Sequence, residues 1–254
     1  DSVLNLTNTG TGGGSTAAEV AGAIDGYAGA TGTLNVNGTW STAGVIGATR
    51  AIAAINLDSD NDTASHTYTF AHNVNATTIT LGTNDAQSSN TTLAISAAIT
   101  VTGDIVSSGN ASIAGILDIN ENTIFVDNIG TSSAAIERIT VITGKTATFK
   151  DSIYAGNITL ETAGTASTSA AFAFNGTANR AYTVTGKIDG QEFGHGSITV
   201  NTGNVTFSNA IGSNMYLNTI TVLDNAEMAT TKNISANGTI SVVGTLDIND
   251  AVTI

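Results

Sequence analysis

Apolar positions along this chain follow a short formula: an apolar residue, three spacers, then Ile or Val, usually with Thr just before the first position. It occurs as Val20/Ile24, Thr42/Ile46, Phe70/Val74, Val101/Ile105, Phe125/Ile129, Phe149/Ile153, Val184/Ile188, Phe207/Ile211 and Thr230/Ile234. The formula returns about every two dozen residues, with longer gaps from Thr42 to Phe70, from Phe70 to Val101 and from Phe149 to Val184. The copies extend beyond the formula. Residues 148–160, laid without gaps on residues 69–81, match at Thr69, Phe70, Ala76, Ile79, Thr80 and Leu81. Self-similarity at such a period marks a stacked architecture and outranks any local helix or strand reading.

The middle of the formula holds Gly22, Gly44, His72, Gly103, Asp127, Asp151, Gly186, Asn209 and Lys232, mostly residues that turn corners or tolerate positive φ. Short alternating runs follow, such as Asn157-Ile158-Thr159-Leu160 and Ser197-Ile198-Thr199-Val200, with the period of half-buried strands. Strand, corner and strand, with no room for a crossover helix, predict an all-β parallel β-helix (β-solenoid) of about nine rungs of roughly 23–24 residues. Residues 1–19 read as a candidate strand around Leu4 and Leu6 followed by a Gly-rich linker, and residues 20–254 as one continuous solenoid. Longer repeats reinforce this. Residues 22–57 match 186–222, with Ile46-Gly47 answering Ile211-Gly212, and residues 112–120 match 241–249. The long intervals predict surface insertions at residues 57–67, 83–92 and 161–180, where binding would be placed.

Composition narrows the class. The chain has 254 residues with 28 Gly, no Pro and no Cys, and only 11 % of its residues are charged. Absence of Pro suits a backbone that must donate hydrogen bonds to neighbouring rungs almost everywhere. Absence of Cys in an extracellular protein fits a bacterial or archaeal surface better than a disulfide-stapled secreted domain. A net charge of −13, with seven scattered basic residues, argues against nucleic acid and keeps a flat-sided rod soluble. No apolar run approaches the ~20 residues of a membrane helix. The chain starts at Asp1 and ends in the strand pattern of residues 251–254, so we expect rungs to continue in a longer parent, or a partner subunit to cover that end.

The run of residues 203–212 with 217–222 resembles the repeats of bacterial autotransporter passenger domains, particularly surface antigens of the rickettsial outer-membrane-protein-B type. Residues 42–57 and 124–141 carry further, weaker copies. The resemblance implies a cell-surface β-helix used in adhesion or as a surface layer. The composition is also similar to bacterial S-layer proteins, without the Gly-Gly-x-Gly-x-Asp calcium repeat of some of them. The expected function is a non-enzymatic, extracellular structural protein that forms a homo-oligomer or polymer. The alternative is an adhesin that holds a cell-surface receptor through its inserts; a β-helix carbohydrate-active enzyme or phage tailspike ranks below both.

Few residues offer chemistry. Asp58, Asp60 and Asp62 place carboxylates at alternate positions of a loop, a spacing that can wrap oxygens around Ca²⁺, but Thr63 and Thr69 stand where an EF-hand has its Gly and closing Glu. Asp25 with Asp189, and Asp118 with Asp247, are repeat-equivalent pairs, too far apart along a rod to act as paired glycosidase acids. His66, His72 and His195 stand in no catalytic or zinc spacing and read as loop or corner residues. Phe125 and Phe149 share a formula position on successive repeats, predicting stacked rings inside the rod, with Phe70 and Phe207 as further members.

Overall fold

A computed structural model describes residues 2–7, 18–20, 22–58, 65–82, 91–108, 115–162 and 169–248. They form an all-β parallel solenoid, with 21 strands joined in one sheet and every strand pair parallel. Three strand-bearing faces follow one another around each turn. On the third face one inward column is continuous from bottom to top: Leu4, Leu34, Ile55, Ile79, Ile105, Ile129, Ile153, Val184, Phe207, Thr230 and Ile248. The expected nine rungs are close to the observed number of turns. The first face stacks Trp40, Tyr68, Leu93, Leu117, Ile139, Ile158, Ile188, Ile211 and Ile234. The second runs from Ile24 through Ile46, Val74, Val101, Phe125 and Phe149 to Val242. The strand expected near Leu4 and Leu6 is present at Val3–Thr7 and already belongs to the solenoid, paired in register with Thr33–Asn37.

The physical cause is alternation. Strand Ile99–Ser107 buries every second residue without exception, sending Ile99, Val101 and Ile105 inward and Thr100, Thr102 and Asp104 outward. Each inward residue is roofed by the turn above, so no single turn has a core of its own.

The apolar formula does not stack as one column. Val20/Ile24, Thr42/Ile46 and Phe70/Val74 sit where the first face bends into the second. Val101/Ile105, Phe125/Ile129 and Phe149/Ile153 take the next corner, between the second face and the third. Val184/Ile188, Phe207/Ile211 and Thr230/Ile234 take the corner that closes the turn. The chain is therefore three similar modules, each rotated by one face. The middle copy of every triple carries the same device. Gly47, Gly130 and Gly212 follow Ile46, Ile129 and Ile211 with φ of 70°, 72° and 67°. Their amides donate to the carbonyls of Ile24, Ile105 and Ile188 one turn below at 2.7, 2.6 and 2.7 Å. A Cβ on any of them would collide with a carbonyl oxygen of the turn above, that of Asn75, Tyr154 or Ser235. Only glycine meets both conditions.

This arrangement corrects the reading of the long intervals. Phe70 pairs with Ile95, one turn above it, and the chain then crosses to Val101 on the next face; the long interval from Phe70 to Val101 is a turn plus a face. Likewise Phe149 pairs with Phe174, and Val184 follows one face later, which accounts for the long interval from Phe149 to Val184. Residues 161–180 are consequently not one excursion. Ala171–Asn175 is a regular strand of the second face whose Phe172 and Phe174 are buried. Of the expected inserts, residues 59–64, 83–90 and 163–168 lie outside the described residues, as do residues 10–15 of the Gly-rich run.

Candidate functional site

Most polar side chains with a definable job hold turns together. Where strand pairing breaks at corners, backbone amides lose their ladder partner and must find another acceptor. Asp25 accepts from the amides of Thr49 at 2.9 Å and Arg50 at 3.4 Å, Asp104 from Asn128 at 3.1 Å, and Asp189 from Asn214 at 3.0 Å. Asn73 and Asn122 accept from the amides of Thr100 and Thr146 in the same way, at 2.9 and 2.8 Å. The Thr49 amide is the main reason the Asp25 carboxyl lies below its ordinary value. Hydrogen bonding from Lys145, 2.7 Å away, lowers Glu121 likewise. Within the repeat-equivalent pairs, Asp25 lies beside the second-face column and Asp189 beside the first, while Asp118 is on the first face and Asp247 on the third. Rotation of the modules separates partners that the sequence aligns, so they do not converge.

Of the candidate calcium ligands, Asp60 and Asp62 lie outside the described residues. Asp58 is only 2 % exposed and has φ of 60°. Its carboxylate accepts from the Thr91 hydroxyl at 2.7 Å and lies 3.5 Å from the Tyr68 hydroxyl and 4.0 Å from His66 Nε2. It turns toward the solenoid wall. Among the described residues no group of three or more His, Asp or Glu side chains could hold a metal ion.

The histidines fare differently. His72 is an exposed corner residue, as its position in the formula implies. His195 Nδ1 lies 2.7 Å from the Thr162 hydroxyl and 3.1 Å from that of Ser169, groups that stacking brings to one corner. Sequence spacing gives no sign of that cluster, because loop length varies from turn to turn.

The predicted ring stack is present. Phe125 and Phe149 lie 5.3 Å apart with planes 12° apart, and Phe172 continues the stack 4.9 Å beyond Phe149. Phe207 joins edge-on to Phe172 at 6.2 Å, across the interior from the third face. Phe70 is buried on the first face, lower in the rod, and makes no ring contact with this stack. Phe172 falls in the stretch expected as an insertion, which is why sequence reasoning missed it.

Two surfaces remain. At the bottom, strands Val3–Thr7 and Ala18–Val20 pair, among the described residues, only with the turn above. At the top, Ile240–Val242 and Thr245–Ile248 pair, among the described residues, only with the turn below. Apolar side chains crowd these ends: Val3 and Leu4 are exposed below, Val242, Val243 and Ile248 above. The second surface is an outward aromatic pair, Phe193 and Tyr216, at the corner between the first and second faces. No helix of the described residues is long and apolar enough to cross a membrane. Comparisons with protein-family models, with curated proteins and with solved structures found no match to this chain.

Proposed function

We propose that this chain is a non-enzymatic structural element of a bacterial cell surface, a stiff rod that self-assembles through exposed edge strands. The observation that supports this reading is the edge strands: among the described residues Val3–Thr7 and Ile240–Val242 each have a paired turn on one side, and exposed Val3, Leu4, Val242, Val243 and Ile248 lie beside edges of a kind that a further turn can cover. Between the ends the flanks carry Thr, Asn and Asp, and the side-chain clusters brace turns. The Asn5, Asn35 and Asn56 carboxamides form a ladder, donor to acceptor at 2.8 Å per step.

The test is sedimentation and light scattering of the intact protein over a wide concentration range, with and without calcium. Concentration-dependent rods are expected, and Val243→Lys, at a position 67 % exposed, should dissolve them without lowering the melting temperature. Monomers under every condition would remove the assembly reading.

A further inference from the structure

We infer that the corner between the first and second faces is a binding site for a neutral, linear polysaccharide. Of the seven Phe residues, six are buried and Phe193 is 61 % exposed. It meets Tyr216, itself 44 % exposed, edge to face at 5.4 Å. A chain that hides every other phenyl ring presents these two together on adjacent turns.

The platform is braced. The Gly194 amide donates to the Tyr216 carbonyl at 2.8 Å, which locks one aromatic loop on the other. Below, the Gln191 amide donates to the Leu160 carbonyl at 2.9 Å, and the Gln191 side chain accepts from the Thr162 amide at 3.2 Å. The His195 ring rests against the Thr162 and Ser169 hydroxyls of that same lower turn. A loop held in place before a ligand arrives loses little entropy on binding.

A mostly polar open groove lies on the first face and its corner on the turns below. It has a volume of about 410 Å³ and is lined by Asp118, Asn120, Arg138, Thr140, Thr159 and Glu161, with Ile142 among them. Its alignment with the aromatic loop follows from the ladder: the amides of Asn120, Ile142, Glu161 and Gln191 donate to the first-face carbonyls of Ile95, Ile119, Val141 and Leu160, turn upon turn. Successive turns are ~4.8 Å apart, so hydrogen-bonding groups recur along the axis at a fixed short spacing.

These features select the ligand chemistry. A pyranose ring has an apolar C–H face suited to an aromatic ring and a rim of hydroxyls that both donate and accept. Carboxylates, carboxamides, hydroxyls and a guanidinium, set in neighbouring columns of one face, supply both roles. The net charge of −13 disfavours a polyanion. A protein partner would demand a larger desolvated apolar centre than two rings provide.

The experiment is titration calorimetry of the intact protein with cellohexaose, maltohexaose and chitohexaose, with hexagalacturonate as the charged comparison. At least one neutral hexasaccharide should bind. Phe193→Ala and Tyr216→Ala should each weaken it about tenfold, Glu161→Gln should weaken it less, and Tyr27→Ala, an exposed aromatic far from this corner, should change nothing. Melting curves of the variants should overlay the parent, since both rings are exposed. Heat with no neutral sugar, undiminished binding by both aromatic variants, or tighter binding of hexagalacturonate would each overturn the inference, as would loss of self-association in place of sugar binding.

Discussion

Phe149→Ala offers the most direct test of the stacked interior. The ring is 1 % exposed and sits between Phe125 at 5.3 Å and Phe172 at 4.9 Å. Truncating a buried phenyl to a methyl costs about 3–5 kcal/mol through lost transfer energy and the cavity left behind. Each ring contact adds about 0.5–1.5 kcal/mol beyond burial, so the variant should fall at the upper end of that range. For a chain of this size the loss corresponds to roughly 6–20 °C in melting temperature. Phe149→Leu, which fills much of the space, should lose distinctly less. Because solenoid turns couple to their neighbours alone, the damage should be local. Amide protection should drop first in Thr123–Phe125 and Ala171–Asn175, the strands on either side of Thr146–Phe149. A double-mutant cycle with Phe125→Leu should return a coupling of about 0.5–1.5 kcal/mol. A total loss below about 1 kcal/mol, or exchange that quickens evenly along the rod, would show that these rings do not share one packed column.

Four further outcomes follow from the corners and the Asp58 cluster. Gly130→Ala combines positive φ with a collision against the Tyr154 carbonyl and should cost several kcal/mol, whereas Gly29→Ala, with φ of 60° and open space around it, should cost only about 1–2 kcal/mol; urea titration of both separates strain from sterics. The Asp25 carboxyl lies below its ordinary 3.8, so its contribution to stability is complete above that value and disappears as pH falls through the lower folded value. Asp25→Asn should accordingly flatten the acid side of the melting-temperature profile; an unchanged profile would mean that the Thr49 contact has no weight. Thr91→Val removes a hydroxyl donor from the buried Asp58 carboxylate and should destabilise by about 1–3 kcal/mol in thermal melts. Millimolar calcium should raise the melting temperature of the parent but not of a variant with Asp60→Asn and Asp62→Asn if that loop closes on the ion; no rise in the parent removes the site.

The sequence by itself determined the kind of structure. Ile and Val at alternate positions, a bend formula returning after about two dozen residues, and Phe125 and Phe149 placed one repeat apart were enough to specify stacked turns and a phenyl column. It also contained the repeated Ile-Gly pair that begins at Ile46, Ile129 and Ile211, whose geometric cause appears only where each glycine passes under the carbonyl of the next turn. What the tertiary structure decided was angular position. Every face asks for the same alternation, apolar inward and polar outward, so a local pattern is blind to which face it occupies. From Ile46 to Ile129, and again from Ile129 to Ile211, the chain makes three turns and one further face, and each copy therefore lands on a different corner. From that rotation come the separation of Asp25 from Asp189 and the recovery of Ala171–Asn175 as a regular strand. Turn-by-turn stacking, in turn, sets His195 against Thr162 and Ser169 and brings Phe193 to Tyr216. Loop lengths set where each turn resumes, and their sum, which no window of sequence carries, fixes which side chains meet.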